Sequence, residues 1–135
     1  AIYTVLADGD DVTSDPVVDT ARAILDGHIV LSRDLAQQGI YPAIDVSQSV
    51  SRLMTDIVST EQTQNSQLLR KYISKYYENR DLILMGGYVQ GQDADLDVAM
   101  QLWPSIVNFL KQNDGELASF PDSVEALKNL IGMNK

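Results

Sequence analysis

The 135-residue sequence contains no cysteine and a single histidine, His28. The first absence rules out a disulfide framework, a thiolate zinc site and a cysteine nucleophile. The second rules out histidine-rich metal sites and argues against a Ser-His-Asp triad. His28 heads an apolar run with no second ligand type near it in sequence, so it reads as a satisfied core or near-core side chain. Basic residues are also scarce, ten Lys and Arg against nineteen Asp and Glu, for a net charge of −9. Binding to phosphate backbones needs dense Lys and Arg, so the sequence argues against nucleic acid or an anionic membrane as the main partner. Arg70, Lys71, Lys75 and Arg80 form the one local basic group; set among tyrosines at helical spacing, they read as a solvated face. No apolar run approaches the roughly 18 residues that a transmembrane segment requires. With no signal-peptide pattern in the opening "AIYTVLA", a cytosolic protein is expected.

What is present is ordinary globular material, 44% hydrophobic and 21% charged, in a length of about one domain. Residues Ile2 to Ala7 form a continuously apolar, β-rich run that predicts a strand buried on both faces. Such a strand needs neighbours that the rest of the sequence does not offer, so the chain is expected to be the tail of a longer protein. An aspartate-rich loop follows. Asp15 and Pro16 have the chemistry of an N-cap and first helical position for a helix to about Leu25. "HIVLS" (28–32) predicts a second strand and "RDLAQQ" a short helix stopped at Gly39, an order that suits the edge of a parallel sheet. The next stretch, "YPAIDVSQSVSRLM" (41–54), reads as mostly irregular. From about Thr60 only helices are expected: one long helix carrying Leu68, Leu69, Tyr72, Ile73 and Tyr76, one from the Asp93 cap to Trp103, one opened by Pro104, and one from Phe120 to Ile131. No internal repeat or low-complexity segment is present.

Neither acidic cluster makes a calcium loop. Counted from Asp8, Val12, Thr13 and Asp19 stand at positions 5, 6 and 12; counted from Asp93, Val98 and Pro104 stand where Gly and Glu belong. Both clusters read as solvated loop and cap carboxylates. Gly86, Gly87 and Gly91 lack the Lys-Ser/Thr of a phosphate loop. Tyr72, Tyr76 and Tyr77 read as packing residues.

From Pro42 the sequence runs Pro-Ala-Ile-Asp, three free positions, then Ser49, Val50, Ser51 and Arg52. This resembles the signature of the rotary and export ATPase family, which comprises the ATP synthase α and β subunits and the flagellar and type III secretion ATPases. The likeness extends over "DDVTSDPVVDTARAILDGHIVLSRDLAQQGIYPAID". It continues in "MGGYVQGQDADLDVAM", whose Gly86, Tyr88, Gly91, Asp93, Asp97 and Ala99 follow a pattern similar to the flagellar and type III secretion branch. It is weakest after Gly115. Locally, Arg52 would simply pair with Asp45 or Asp56. The resemblance implies instead an arginine finger acting in trans, where a planar, permanently charged fork stabilises the γ-phosphoryl oxygens in a neighbouring subunit's site. It likewise implies that Tyr41, and more loosely Phe120, face the adenine ring of a bound nucleotide.

The expected fold class is therefore α/β followed by all-α: residues 1–58 as the C-terminal end of a RecA-like parallel-sheet nucleotide-binding domain, and 59–135 as a helical C-terminal domain. What the resemblance implies is an ATP hydrolase of flagellar-type protein export, a homohexamer using ATP with Mg2+ at the cytoplasmic side of the inner membrane. The phosphate and metal ligands would lie upstream, so the chain alone should be inactive and itself supplies no metal ligand. Implied partners are identical subunits, a coiled-coil stalk and regulators, and export substrates or chaperones. Three alternatives are a virulence-type secretion ATPase, a non-catalytic ring subunit, and a helical partner-docking module.

Overall fold

A computed structural model describes residues 2–6 and 15–133. Helix α1 (Pro16–Ile24) begins where expected, because the Asp15 carboxylate accepts the Val17 and Val18 amides and Pro16 has no amide to leave unpaired. Strand β1 (Gly27–Leu31) leads through the Ser32 cap into α2 (Arg33–Gln37), and Gly39, at φ 70°, turns the chain out of that helix. Strand β2 (Ile44–Ser51) then returns antiparallel to β1. Helix α3 (Met54–Ile57) links it to the helical part: α4 (Thr60–Glu78), α5 (Arg80–Leu84), α6 (Ala94–Leu110) and α7 (Phe120–Gly132).

The core lies in that helical part. Leu69, Tyr72 and Ile73 of α4 pack against Ala99, Leu102 and Ile106 of α6 and Leu127, Leu130 and Ile131 of α7. Burial of each large aliphatic contributes about 1.5–3 kcal/mol. Trp103 stacks on Tyr76 at 3.7 Å between ring centroids and meets Tyr77 edge-on at 5.2 Å. The tyrosines are thus packing residues, as expected.

An α/β portion followed by helices is the expected class, but four local expectations change. Residues 2–6 form no strand and Ile2 and Leu6 are almost fully exposed; β1 and β2 pair only with each other among the described residues, so this run has no ladder to join. Ala7 and most of the aspartate-rich loop lie outside the described residues. The β1–β2 pair is antiparallel, not a parallel edge, because β2 turns back directly after α2. The stretch read as irregular contains β2, whose alternation is hidden by a bulge. Pro104 does not open a new helix: α6 runs through it. The hydrogen bond that an internal proline removes costs about 3 kcal/mol, offset here by burying Leu102 and Ile106 on either side.

Candidate functional site

The two strands are out of step. His28 pairs with Val50 and Val30 with Asp45, so Ile29 alone on β1 faces residues 46–49 on β2. Those extra residues need polar partners in place of the ladder, and the signature supplies them. The Asp45 carboxylate accepts the Ser47 and Gln48 amides at 2.9 and 3.0 Å, closing a side-chain turn. The buried Ser49 hydroxyl donates to the Asp45 carbonyl at 2.6 Å and accepts the Val30 amide at 3.0 Å, standing in for the missing backbone acceptor. From α4, the Arg70 guanidinium donates to the Ser49 carbonyl at 2.8 Å. Beyond the bulge the ladder resumes as Ser51 faces Gly27, where any Cβ would lie 2.9 Å from the Val50 carbonyl oxygen. The Arg52 amide donates to the Asp26 carbonyl at 2.8 Å.

Arg52 is thus backbone-clamped with an exposed side chain. Among the described residues it makes no ion pair, with Asp45, Asp56 or any other carboxylate. Its guanidinium donates, in long contacts of 3.4 and 3.3 Å, to the Arg22 and Ala23 carbonyls in the last turn of α1, where helix carbonyls carry partial negative charge.

Tyr41 is 57% exposed and Phe120 68%. The Tyr41 carbonyl accepts the Gln112 amide at 2.8 Å, which ties its turn to the segment leading into α7. An open cleft of about 820 Å³ lies alongside. Neither ring lines it; its wall includes Pro42, next to Tyr41, and Asp122 and Ser123, in the first turn of the helix that Phe120 opens. A smaller cleft of about 170 Å³ lies among Asp34, Asp45, Val46, Tyr77 and Arg80. Burial there pushes the Tyr77 hydroxyl pKa up, against the pull of Arg80. Arg52 lines neither cleft, so neither brings it together with Tyr41 or Phe120. His28 is half-buried, its Nε2 3.1 Å from the Gln48 carbonyl oxygen, consistent with a satisfied near-core residue.

The second motif also closes on itself. Asp93 caps α6 through the Asp95 and Leu96 amides. Asp97 takes the Tyr88 hydroxyl at 2.8 Å on one oxygen and the Gly91 amide at 2.8 Å on the other. The basic group is not simply a solvated face: Lys75 pairs with Asp93 at 2.9 Å and Lys71 with Asp95 at 2.7 Å, joining α4 to the start of α6. The Lys75 hydrogen bond holds the Asp93 carboxyl below its ordinary range, and the same bond raises the Lys75 pKa. Desolvation, then the bond to Asp97, raises that of Tyr88. Among the described residues no cluster of three His, Cys, Asp or Glu side chains could hold a metal, and no helix is long and apolar enough to cross a membrane. The roles of Asp45, Ser49 and Arg70 were not read from the sequence. The fixed Asp and Ser of the signature were the available signal; nothing marked Arg70.

Residues 1–51 match the nucleotide-binding domain of the ATP synthase alpha/beta family, and residues 58–129 match the T3SS EscN ATPase C-terminal domain. The flagellum-specific ATP synthase of Salmonella typhimurium is 49% identical over 127 residues, which are 94% of this chain and 28% of that protein. The Treponema pallidum protein of the same name is 45% identical over 134 residues, 99% of this chain and 30% of that protein. The assembled ATPase EscN of the enteropathogenic E. coli type III secretion system superimposes with a TM-score of 0.89 at 39% identity, covering 96% of this chain and 31% of EscN. EscN in complex with its central stalk EscO gives 0.81 at 37% identity, covering 86% and 29%. The chain belongs to the flagellar and type III secretion export ATPase family. It spans less than a third of the length of the curated relatives it matches.

Proposed function

We propose that this chain is the C-terminal part of a flagellum-specific protein-export ATPase, with residues 1–58 completing a RecA-like domain and 59–135 forming a helical domain. The observation that carries the reading is Arg52: clamped through its backbone at the end of a bulged strand, with an exposed guanidinium that no described carboxylate neutralises. In the assembled ring it reaches the neighbouring subunit's nucleotide. Its planar fork binds the γ-phosphoryl oxygens and stabilises the charge they carry during transfer. The weak contacts to the Arg22 and Ala23 carbonyls are given up at little cost when that partner arrives. The exposed rings of Tyr41 and Phe120 suit stacking on adenine at the chain's own site.

When bound, MgATP supplies the phosphoryl group. In this reading Tyr41 and Phe120 face its base and Arg52 a neighbour's phosphoryl oxygens, while the Mg2+ ligands and the phosphate loop are assigned to the rest of the parent protein. On this assignment the isolated chain should not hydrolyse ATP. The relative EscN is solved assembled and in complex with its central stalk EscO, which supports an assembled ring with a stalk partner here; six identical subunits, a coiled-coil stalk, chaperones and cargo, and a cytoplasmic place against the inner membrane belong to the same proposal. The higher identity to flagellum-specific relatives favours the flagellar over the virulence-type system.

The test is Arg52→Ala in the full-length protein. Nucleotide affinity should stay within about twofold while turnover falls by 10³-fold or more, roughly the scale of arginine fingers in GTPases. Substantial residual turnover would refute the finger.

A further inference from the structure

We propose that Arg70, in the helical part, is a positioning residue for Arg52: it fixes the finger by holding the carbonyl of Ser49. This rests on the finger reading above and deepens it.

Three constraints meet at Ser49. Its hydroxyl joins β1 through the Val30 amide and closes the bulge through the Asp45 carbonyl, while its own carbonyl is held from α4 by Arg70 at 2.8 Å. From Ser49 to Arg52 is three residues, roughly 10 Å of extended chain. That short run has little freedom, because Val50 and Ser51 are laddered to His28 and Gly27 and the Arg52 amide is bonded to Asp26. A displacement imposed at Ser49 therefore reaches Arg52 through a strand rather than being absorbed by a loop.

Arg70 is itself firmly based. Its neighbour Leu69 is 5% exposed, and Tyr72 and Ile73 pack into the helical core a turn further on. Among the described residues Arg70 makes no ion pair, although Lys71 and Lys75 on the same helix both do. Its bond to the Ser49 carbonyl is charge-assisted, which makes it a link between the helical core and the finger strand rather than a surface charge.

The experiment uses full-length protein carrying Arg70→Ala, Arg70→Lys, Arg52→Ala, or Arg70→Ala with Arg52→Ala. Since a 1 Å misplacement of a catalytic group can cost 10²-fold, Arg70→Ala should lower kcat by about 10- to 100-fold with KM for MgATP within about twofold. Arg70→Lys should recover a measurable part of the loss. The double variant should be no slower than Arg52→Ala alone. Arg70→Ala subunits should also regain turnover when mixed with phosphate-loop-lysine mutants, whose intact Arg52 serves their sites. An unchanged kcat, a loss confined to KM, or no gain on mixing although mixed rings form would overturn the positioning role while Arg52→Ala remains inactive. If Arg52→Ala is itself active, the finger reading has failed, independently of Arg70.

Discussion

The two halves of this chain are held together by different physics. From Thr60 onward, three helices bury Leu69, Ile73, Leu102, Ile106, Leu130 and their neighbours in one apolar cluster. Before it, among the described residues, only Val18, Leu35, Ile40 and Ser49 are buried, while Val17, Ile24, Ile29 and Leu31 are exposed. Order around Arg52 comes instead from side chains bonding the backbone: Asp45 to two amides, Ser49 to β1, Arg70 to Ser49. The difference teaches that an exposed side chain can be placed by a few directed hydrogen bonds, provided one of them is anchored in a packed core. Apolar contact is non-directional and sets compactness; directed bonds set geometry.

Substitutions that attack each half separately should separate these roles. Ile106→Ala empties a fully buried position in the cluster and should cost about 2–5 kcal/mol, read by denaturant unfolding. The equivalent truncation on the other half, Ile29→Ala at 70% exposure, should stay within about 0.5 kcal/mol. Equal costs would mean that the strand pair is packed as tightly as the helices.

Ser49→Ala leaves the Val30 amide without its acceptor and should cost about 1–3 kcal/mol. Hydrogen exchange at Val30 should accelerate more than at the core of α6. Uniform acceleration would mean that the bulge has no stability of its own to lose.

The smallest expected effect is the clamp between α4 and α6. Asp93 has a lowered pKa, so its contribution is present above the ordinary carboxylate range and is lost as pH falls through the folded value. Lys75 has a raised pKa, so its contribution is present below the ordinary lysine range and is lost as pH rises through its higher folded value. Asp93→Asn keeps a good helix cap but removes the charge. The difference in Tm between the variant and the parent should be flat from about pH 5 to 9, given ordinary values near 4 and 10.4, and should shrink in acid. A difference that persists unchanged at pH 2 would assign the effect to capping rather than to the ion pair.

Much of this architecture was legible in the sequence because its signals are local. Asp15, Asp93 and Ser119 cap helices where their side-chain chemistry predicts. The signature at 42–52 and the 86–99 pattern pointed to the family through fixed residues. What failed depended on distant partners. β2 was hidden because four residues bulge out of register and break the two-residue alternation. The run 2–6 has strand composition but no described partner strand. Pro104 stays helical because both flanks are buried. Arg70 reads as one more surface charge until folding brings α4 against the carbonyl of Ser49.

The central claim is that the bulged strand presents Arg52 to another subunit. The most direct test mixes full-length Arg52→Ala subunits with subunits mutated in their phosphate-loop lysine and records ATPase activity. Each variant alone should be inactive, and activity should reappear in mixed rings, where an intact site meets an intact finger. Mixed rings that demonstrably form yet stay inactive would contradict it and confine Arg52 to a role within its own subunit.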